Sequence, residues 1–174
     1  MKILKIYTDG RYIPKVKSGA TSFIALEVAK EGNRVLTESA KFYTISLEES
    51  ANNTYLSSIH KMEVQAILNA LNWLRTKGYS KTHRVYVYTD SQNIQLAVAS
   101  WIEKWKLRNW KTTTGKPVKI KEMWMKLDKQ SKEFASLHIQ WVQGHQGDPW
   151  NERADELCKT IMNKELGYDA EIEV

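Results

Sequence analysis

The chain has 174 residues, of which 42% are hydrophobic and 26% are charged, a balance typical of one globular domain and unlike that of disordered chains. It contains no apolar run near the roughly 20 residues of a membrane-spanning helix, and residues 1–5 lack the apolar region of a signal peptide. Its one cysteine, Cys158, excludes an internal disulfide and a zinc site built of thiolates. We therefore expect one domain over residues 1–174, acting as a monomer in the cytoplasm without a membrane or an obligate protein partner.

The positive charge is concentrated in one stretch, residues 101–121, which we call the basic segment. The formal net charge of the chain is +6, and the basic segment holds seven Lys and Arg residues against one acid, so that it carries +6 by itself. The other 153 residues have equal numbers of acidic and basic side chains. A concentrated basic patch indicates a polyanionic partner.

The hydrophobic pattern predicts strands and helices along the whole chain. Strands are expected at residues 2–9, 20–29, 34–43, 84–89 and 137–142. Helices are expected at residues 57–77, 92–108, 119–132 and 149–164. The turn signal Glu31-Gly32-Asn33 favours an antiparallel meander of the first three strands. This order predicts an α/β fold in which helices pack on a mixed sheet.

Two aspartates follow apolar strands. Asp9 and Asp90 each come after an apolar run that ends in threonine, and ligands of open α/β sheets bind at the carboxyl ends of the strands. If the two strands are parallel neighbours, both carboxylates face one crevice. The alternative is that each aspartate only caps a turn or a helix.

Two further acids lie on predicted helices. Glu63 shares one helical stripe with Ile67 and Leu71, so that a helix burying this stripe would carry its carboxylate toward the sheet, where an unpaired charge is costly. The alternative is a glutamate at the edge of the stripe that reaches solvent. Asp155 lies one turn into the last helix, whereas its neighbour Glu152 is typical of a solvent-facing first turn.

Four carboxylates without cysteine ligands favour a hard cation such as Mg²⁺ or Mn²⁺. Two such ions about 3.5–4 Å apart can promote phosphodiester hydrolysis, and together with the basic segment they predict a metal-dependent nuclease. His145 lies between Gly144 and Gly147 and could move a proton; the alternative is a surface histidine. His60, His83 and His138 lack ligand spacing and are interpreted as structural.

Three longer blocks resemble type-1 ribonuclease H of the bacterial single-domain kind. They are the Thr-Asp-Ser-Gln motif at residues 89–92, the Trp-rich stretch at residues 101–119, and residues 141–157, which include Gln-Gly-His and Asn-Glu-Arg-Ala-Asp-Glu. They follow a Thr-Asp-Gly motif at residues 8–10, and the resemblance spans residues 6–168. It implies the ribonuclease H-like fold, with a five-stranded mixed sheet, three strands antiparallel and then two parallel, flanked by helices.

The resemblance also implies an activity, the endonucleolytic hydrolysis of the RNA strand of an RNA/DNA hybrid, giving a 3′-hydroxyl and a 5′-phosphate. The residues that match the family's ligands for two Mg²⁺ ions, for which Mn²⁺ can substitute, are Asp9, Glu63, Asp90 and Asp155. His145 matches the family's mobile histidine, which assists proton transfer or product release.

The substrate contacts that the resemblance implies fall into two groups. Those outside the basic segment are Gly10, Ser58, Gln92 and Asn151. Those in the basic segment, which resembles the family's hybrid-binding protrusion, are Trp101, Trp105, Lys106, Arg108, Trp110, Lys111, Lys116 and Lys119. An alternative for Trp101 and Trp105, at i and i+4, is that they anchor their helix to the core.

Two stretches depart from the family pattern. Residues 11–19, expected as a loop, are basic where the family is rich in glycine, and we expect Arg11, Lys15 or Lys17 to offer charge to the RNA backbone; a solvent-exposed charged loop is the alternative. Before Glu63, Ile59 stands where the family has an asparagine, and an asparagine pair occurs farther upstream at residues 52–53.

Two rival functions remain, of which the first belongs to a different class. A hybrid-binding module without catalysis would have a broken set of acids, and all four are present. Another nuclease of this fold, such as a junction resolvase or an exonuclease, is disfavoured by the basic segment and by the histidine loop.

Overall fold

The structure is a computed structural model that describes residues 1–45, 55–144 and 146–167, including their side chains except at residues 55–57. His145 and the asparagine pair at residues 52–53 lie outside the described residues, so the predictions made for them stay predictions. Within the described ranges, no helix combines the length and the apolar character needed to cross a membrane.

Five strands form one mixed sheet. They are β1 (Lys2–Ile13), β2 (Ser18–Ala29), β3 (Gly32–Thr44), β4 (His83–Thr89) and β5 (Leu137–Trp141). Their order across the sheet is β3-β2-β1-β4-β5. The pairs β3–β2 and β2–β1 are antiparallel, and the pairs β1–β4 and β4–β5 are parallel. The predicted sheet of three antiparallel and two parallel strands is confirmed.

The first hairpin is longer than predicted. Residues 11–19 were expected to form a loop, but β1 continues to Ile13, which pairs with Ser18, and only the 3₁₀ turn Pro14–Val16 and Lys17 connect the strands. Lys17 has a left-handed backbone with φ of 47°. Tyr12 and Ile13 are buried, and burying these apolar side chains favours continued pairing. Arg11 is therefore a strand residue with a fixed direction.

Helices connect and cover the strands. They are α1 (Tyr55–Thr76), α2 (Tyr79–Thr82), α3 (Gln92–Leu96), α4 (Ile102–Leu107), α5 (Lys121–Ser131) and α6 (Pro149–Leu166). A π-helical turn, Ala97–Trp101, joins α3 to α4, so the helix predicted at residues 92–108 is present with one irregular turn. The Ser91 hydroxyl caps α3 by accepting the Ile94 N–H, and the Asp148 carboxylate caps α6.

The helices cover both faces of the sheet because side chains alternate along each strand. Leu4 and Ile6 pack with Ile67 of α1 on one face, where α3, α4 and α5 also lie. Tyr7 packs with Ala154 of α6 on the other face. The residues of β1 next to Asp9 can therefore contact α1 on one face of the sheet and α6 on the other.

Candidate active site

Asp9 is the buried centre of the acidic residues. It lies near the end of the β1–β4 pairing and is 8% exposed, and its backbone carbonyl accepts the Cys158 thiol at 3.6 Å. Burial, followed by the nearby carboxylates of Asp90, Asp155 and Glu63, raises the pKa of Asp9 well above its usual value. The four predicted acids, which come from four separate elements, thus share one electrostatic environment.

Glu63 reaches this environment from α1. Burial raises the pKa of Glu63 to about 7, against a hydrogen bond from the Ser91 side chain, which lowers it, and the Asp90 carboxylate adds to the rise. Its Oε2 atom is buried and has no hydrogen-bond partner among the described residues. A buried carboxylate oxygen without a partner is an unfavourable arrangement in a metal-free protein.

Gly10 lies where the backbone of β1 comes close to the backbone of α1. A Cβ atom at Gly10 would overlap the Glu63 backbone nitrogen and would lie 2.5 Å from the Met62 carbonyl carbon. Because both neighbours are backbone atoms, neither can move aside without moving the helix. Gly10, predicted as a substrate contact, therefore also sets the spacing between Asp9 and Glu63.

Asp90 follows β4 directly and is partly buried. The Trp141 indole N–H donates to its backbone carbonyl at 3.1 Å, and a Cβ atom at Gly144 would lie 3.0 Å from its Oδ2. Sequence reasoning did not assign these roles to Trp141 and Gly144. The only signal was the glycine itself, which was noted as a neighbour of His145.

Asp155 lies on α6 between two cations. The Arg11 Nη1 atom is 3.9 Å from its Oδ1, and the Lys159 Nζ atom is 3.0 Å from its Oδ2. The prediction for Arg11 was a contact with the RNA backbone, and the structure places it beside an acid of the site. Lys159 was not identified from the sequence, although its i, i+4 spacing from Asp155 is a recognisable signal.

The acids fit a hard divalent cation in their chemistry. The donor set is all oxygen, and Glu63 offers an unpartnered buried oxygen. The raised pKa of Asp9 reflects its burial and then the negative charge of its neighbours, which a cation would offset. In their present positions, however, no three His, Cys, Asp or Glu side chains of the described part of the chain form a group that could hold an ion.

The other predicted substrate contacts differ in exposure. Gln92 is exposed at the start of α3, whereas Ser58 and Asn151 are buried. The Asn151 N–H is bonded to the Asp148 carboxylate of the α6 cap. His60, interpreted as structural, lies beside this region, and its Nε2 is 3.0 Å from the Asn93 side-chain nitrogen.

The tryptophans of the basic segment pack on one another and on the core. The ring centroid of Trp105 lies 6.1 Å from Trp101, 6.2 Å from Trp110 and 5.7 Å from the buried Trp124. Trp101, Trp105 and Trp110 are partly buried against the main hydrophobic cluster. This packing agrees with the alternative in which the indoles anchor their helix.

The cations of the basic segment fall into two kinds. Lys106 pairs with Glu103 at 2.7 Å and with Asp128 at 2.8 Å, and these carboxylates raise its pKa. It thus connects α4 to α5. The exposed cations that were predicted to bind substrate are Arg108, Lys111, Lys116 and Lys119.

Comparison with known proteins agrees with this architecture. The RNase H family model matches residues 1–163. Ribonuclease H of Actinobacillus pleuropneumoniae serotype 5b is 31% identical over 98% of this chain and 100% of its own length. Ribonuclease H of Thiobacillus denitrificans is 37% identical over 90% of this chain and 90% of its own.

Two solved structures share the fold. LC9-RNase H1, described as a type 1 RNase H with the type 2 active-site motif, has a TM-score of 0.73 at 18% identity, covering 98% of this chain and 75% of its own. RNase H1 from the halophilic archaeon Halobacterium salinarum has a TM-score of 0.62 at 16% identity, covering 93% and 98%. The family resemblance seen in the sequence motifs is confirmed by the family model and by relatives aligned over nearly their whole length: this chain belongs to the ribonuclease H family of nucleases.

Proposed function

We propose that this protein cleaves the RNA strand of RNA/DNA hybrids endonucleolytically with two divalent cations, giving 3′-hydroxyl and 5′-phosphate ends. The observation that carries the proposal is the buried Asp9 beside three other acids at one edge of the sheet, where burial, followed by these acids, raises its pKa. Such an excess of carboxylate charge is typical of a site for hard cations.

The chain's own residues have separate tasks in this reaction. Asp9, Glu63, Asp90 and Asp155 would hold the cations, which when bound supply Lewis acidity at the scissile phosphate and an activated water. Gly10 keeps Asp9 and Glu63 close by letting strand and helix backbones touch. Ser91 orients the Glu63 carboxylate by a hydrogen bond. His145 is proposed to carry a proton to or from the reacting groups.

Substrate binding is proposed to rest on the exposed cations of the basic segment, which acts as the hybrid-binding protrusion of a single monomeric domain. Contacts between these cations and phosphates position a hybrid without reading its sequence. Discrimination against DNA duplex would then come from the 2′-hydroxyl and from the shape of the hybrid.

The test compares Asp9→Asn and Asp90→Asn with the wild-type protein on labelled RNA/DNA hybrid, RNA duplex and DNA duplex, in Mg²⁺ and in chelator. Each substitution removes one ligand charge, so we expect cleavage of the hybrid to be lost while hybrid binding is retained. Glu152→Gln is the matched control, because Glu152 is an exposed acid on the same helix as Asp155, and it should keep full activity.

The same assay separates the rival functions. Hybrid binding by the wild-type protein without cleavage in Mg²⁺ would identify a catalytically silent module. Preferred cleavage of DNA duplex would identify another nuclease of this fold. Cleavage of the hybrid by Asp9→Asn or Asp90→Asn would contradict the assignment of these aspartates as metal ligands.

A further inference from the structure

We propose that Arg11 and Lys159 are internal counter-ions of Asp155, which hold this acid while the site contains no metal and compete with a divalent cation for its oxygens. Arg11 is then a positioning residue that acts through Asp155 and weakens metal binding. The inference rests on the proposed metal-dependent function and concerns the same site.

The position of Arg11 follows from the long first hairpin. Side chains two residues apart on a strand point to the same face of the sheet, so Arg11 projects with Asp9 toward the face covered by α6. The pairing of Arg11 with Ala20 and of Ile13 with Ser18 keeps this direction. A loop at this place, as the sequence predicted, would leave the guanidinium free to reach a substrate.

The two carboxylate oxygens of Asp155 each face one cation. Oδ1 lies 3.9 Å from Arg11 Nη1, and Oδ2 lies 3.0 Å from Lys159 Nζ. The side chains of Arg11 and Asp155 are 18% and 21% exposed, so water and salt screen this pair less than a pair on the open surface. Lys159 is held in place by its helical spacing from Asp155.

The burial of Arg11 also indicates that its side chain points toward the interior of the site and not toward solvent. Its Nε atom is buried and has no hydrogen-bond partner among the described residues. A buried donor without a partner costs stability, and the charge of Asp155 is the nearby interaction that offsets this cost. An arginine whose main role was to bind a phosphate of the substrate would be expected to present its donors to solvent.

The consequence for metal binding follows from the charges. Without a divalent cation, the two basic groups reduce the repulsion among the four acids. With a divalent cation, the same groups repel it and compete for Asp155. Removing one basic group should therefore leave the metal-free site less stable and make the metal bind more tightly.

The experiment is calorimetric titration of the purified protein with Mg²⁺, supported by thermal melting with and without Mg²⁺. For Arg11→Gln we expect the dissociation constant for Mg²⁺ to fall by about fivefold or more, the lower end of usual coupling between sites, and the increase in Tm on adding Mg²⁺ to become larger. Arg11→Lys retains the charge and should restore the wild-type constant. Arg84→Gln removes the same charge from an exposed position at the start of β4 and should change nothing.

An unchanged or weaker Mg²⁺ affinity in Arg11→Gln would overturn the proposal. If that result came with weaker hybrid binding in chelator, Arg11 would be a substrate contact. Should Arg11→Gln fail to fold, Lys159→Gln tests the second counter-ion in the same titration with the same expected direction. Failure of the proposed function is distinguishable, since the wild-type protein would then bind no Mg²⁺, or Asp9→Asn would bind it equally well.

Discussion

The acidic centre and the basic segment place their charges in opposite environments. The centre draws Asp9, Glu63, Asp90 and Asp155 from four parts of the chain and buries them in part, and burial, followed by neighbouring acids, raises the pKa of Asp9 and of Glu63. The basic segment holds its seven cations within 21 residues, and most of them are exposed. The acidic centre forms only when distant parts of the chain pack together. The charge of the basic segment is concentrated by the local sequence alone.

The comparison shows that the free-energy cost of a charged side chain differs between the buried centre and the exposed segment. A buried carboxylate must be offset by a cation, a donor or a proton, and the structure shows all three: the basic partners of Asp155, the Ser91 hydrogen bond to Glu63 and the raised pKa of Glu63. An exposed lysine stays hydrated and so costs the fold little free energy, and it attracts a polyanion by an electrostatic interaction that salt screens. Perturbing the centre should therefore change both stability and catalysis, while perturbing the segment should change mainly substrate affinity.

Among variants that leave all four acids in place, the largest effect is expected for Gly10→Ala. The new Cβ would meet the backbone of residues 62 and 63, so β1 and α1 must separate. We expect the free energy of unfolding to fall by about 1–3 kcal/mol and hybrid cleavage in Mg²⁺ to fall on the order of 100-fold, because the acids are displaced. Urea unfolding and initial rates measure the two effects.

Gly144→Ala is the control for Gly10→Ala on the other side of the centre. Its Cβ would meet the Asp90 side chain, which can rotate, so the loss of stability should be smaller. A Gly10→Ala protein with wild-type stability and rate would contradict the role of this backbone contact.

The pH dependence of the metal-free protein tests the burial of Glu63. Its pKa is about 7 in the folded state, against 4.5 for an unperturbed glutamate side chain, so the folded state binds this proton more tightly than the unfolded state. The contribution to stability then falls as pH rises from about 4.5 to 7, by about 3 kcal/mol in all. In chelator, the free energy of unfolding should be higher at pH 5.5 than at pH 8.

The variant Glu63→Gln should show a flatter pH dependence in the same urea titrations. Asp9, whose pKa is also raised, retains part of the slope with the same sign. Glu152→Gln, on an exposed acid, should keep the wild-type slope. A metal-free protein whose stability rises steadily from pH 5.5 to pH 8 would contradict the burial of uncompensated acids at this site.

The smallest effect is expected for substitutions in the basic segment. They distinguish its exposed cations from the ion-paired Lys106. Replacing Arg108, Lys111 and Lys116 together by Gln should raise KM for hybrid about tenfold and make its salt dependence shallower, by about 0.9 in the log–log slope per lost phosphate contact. kcat should change little, since these groups bind the ground state and the transition state alike.

Lys106→Gln is the matched control in the same segment. Its ammonium is already paired with Glu103 and Asp128, so its loss should lower Tm slightly and leave the salt slope unchanged. Equal effects of Lys106→Gln and the triple variant on the salt slope would show that the ion pairs of Lys106 open when substrate binds.

Several features could be predicted from the sequence because they are local. The strand and helix periodicities arise from neighbouring residues, and the motifs around Asp9, Asp90 and Asp155 are contiguous, so the fold class and the candidate acids were accessible without coordinates. The end of β1 was predicted wrongly. The charged stretch after Asp9 looks like a loop, and the pairing of Ile13 with Ser18 depends on burial in the assembled core.

By itself, then, the sequence determined the order of the elements, the identity of the acids and the concentration of positive charge between residues 101 and 121. Only the tertiary structure decided the partners: Arg11 and Lys159 at Asp155, the backbone contact at Gly10, and the ion pairs that set Lys106 apart from its exposed neighbours. The physical reason is that periodicity is a property of adjacent residues. The environment of a charge is decided by groups that are far away in the chain and meet only when the core packs.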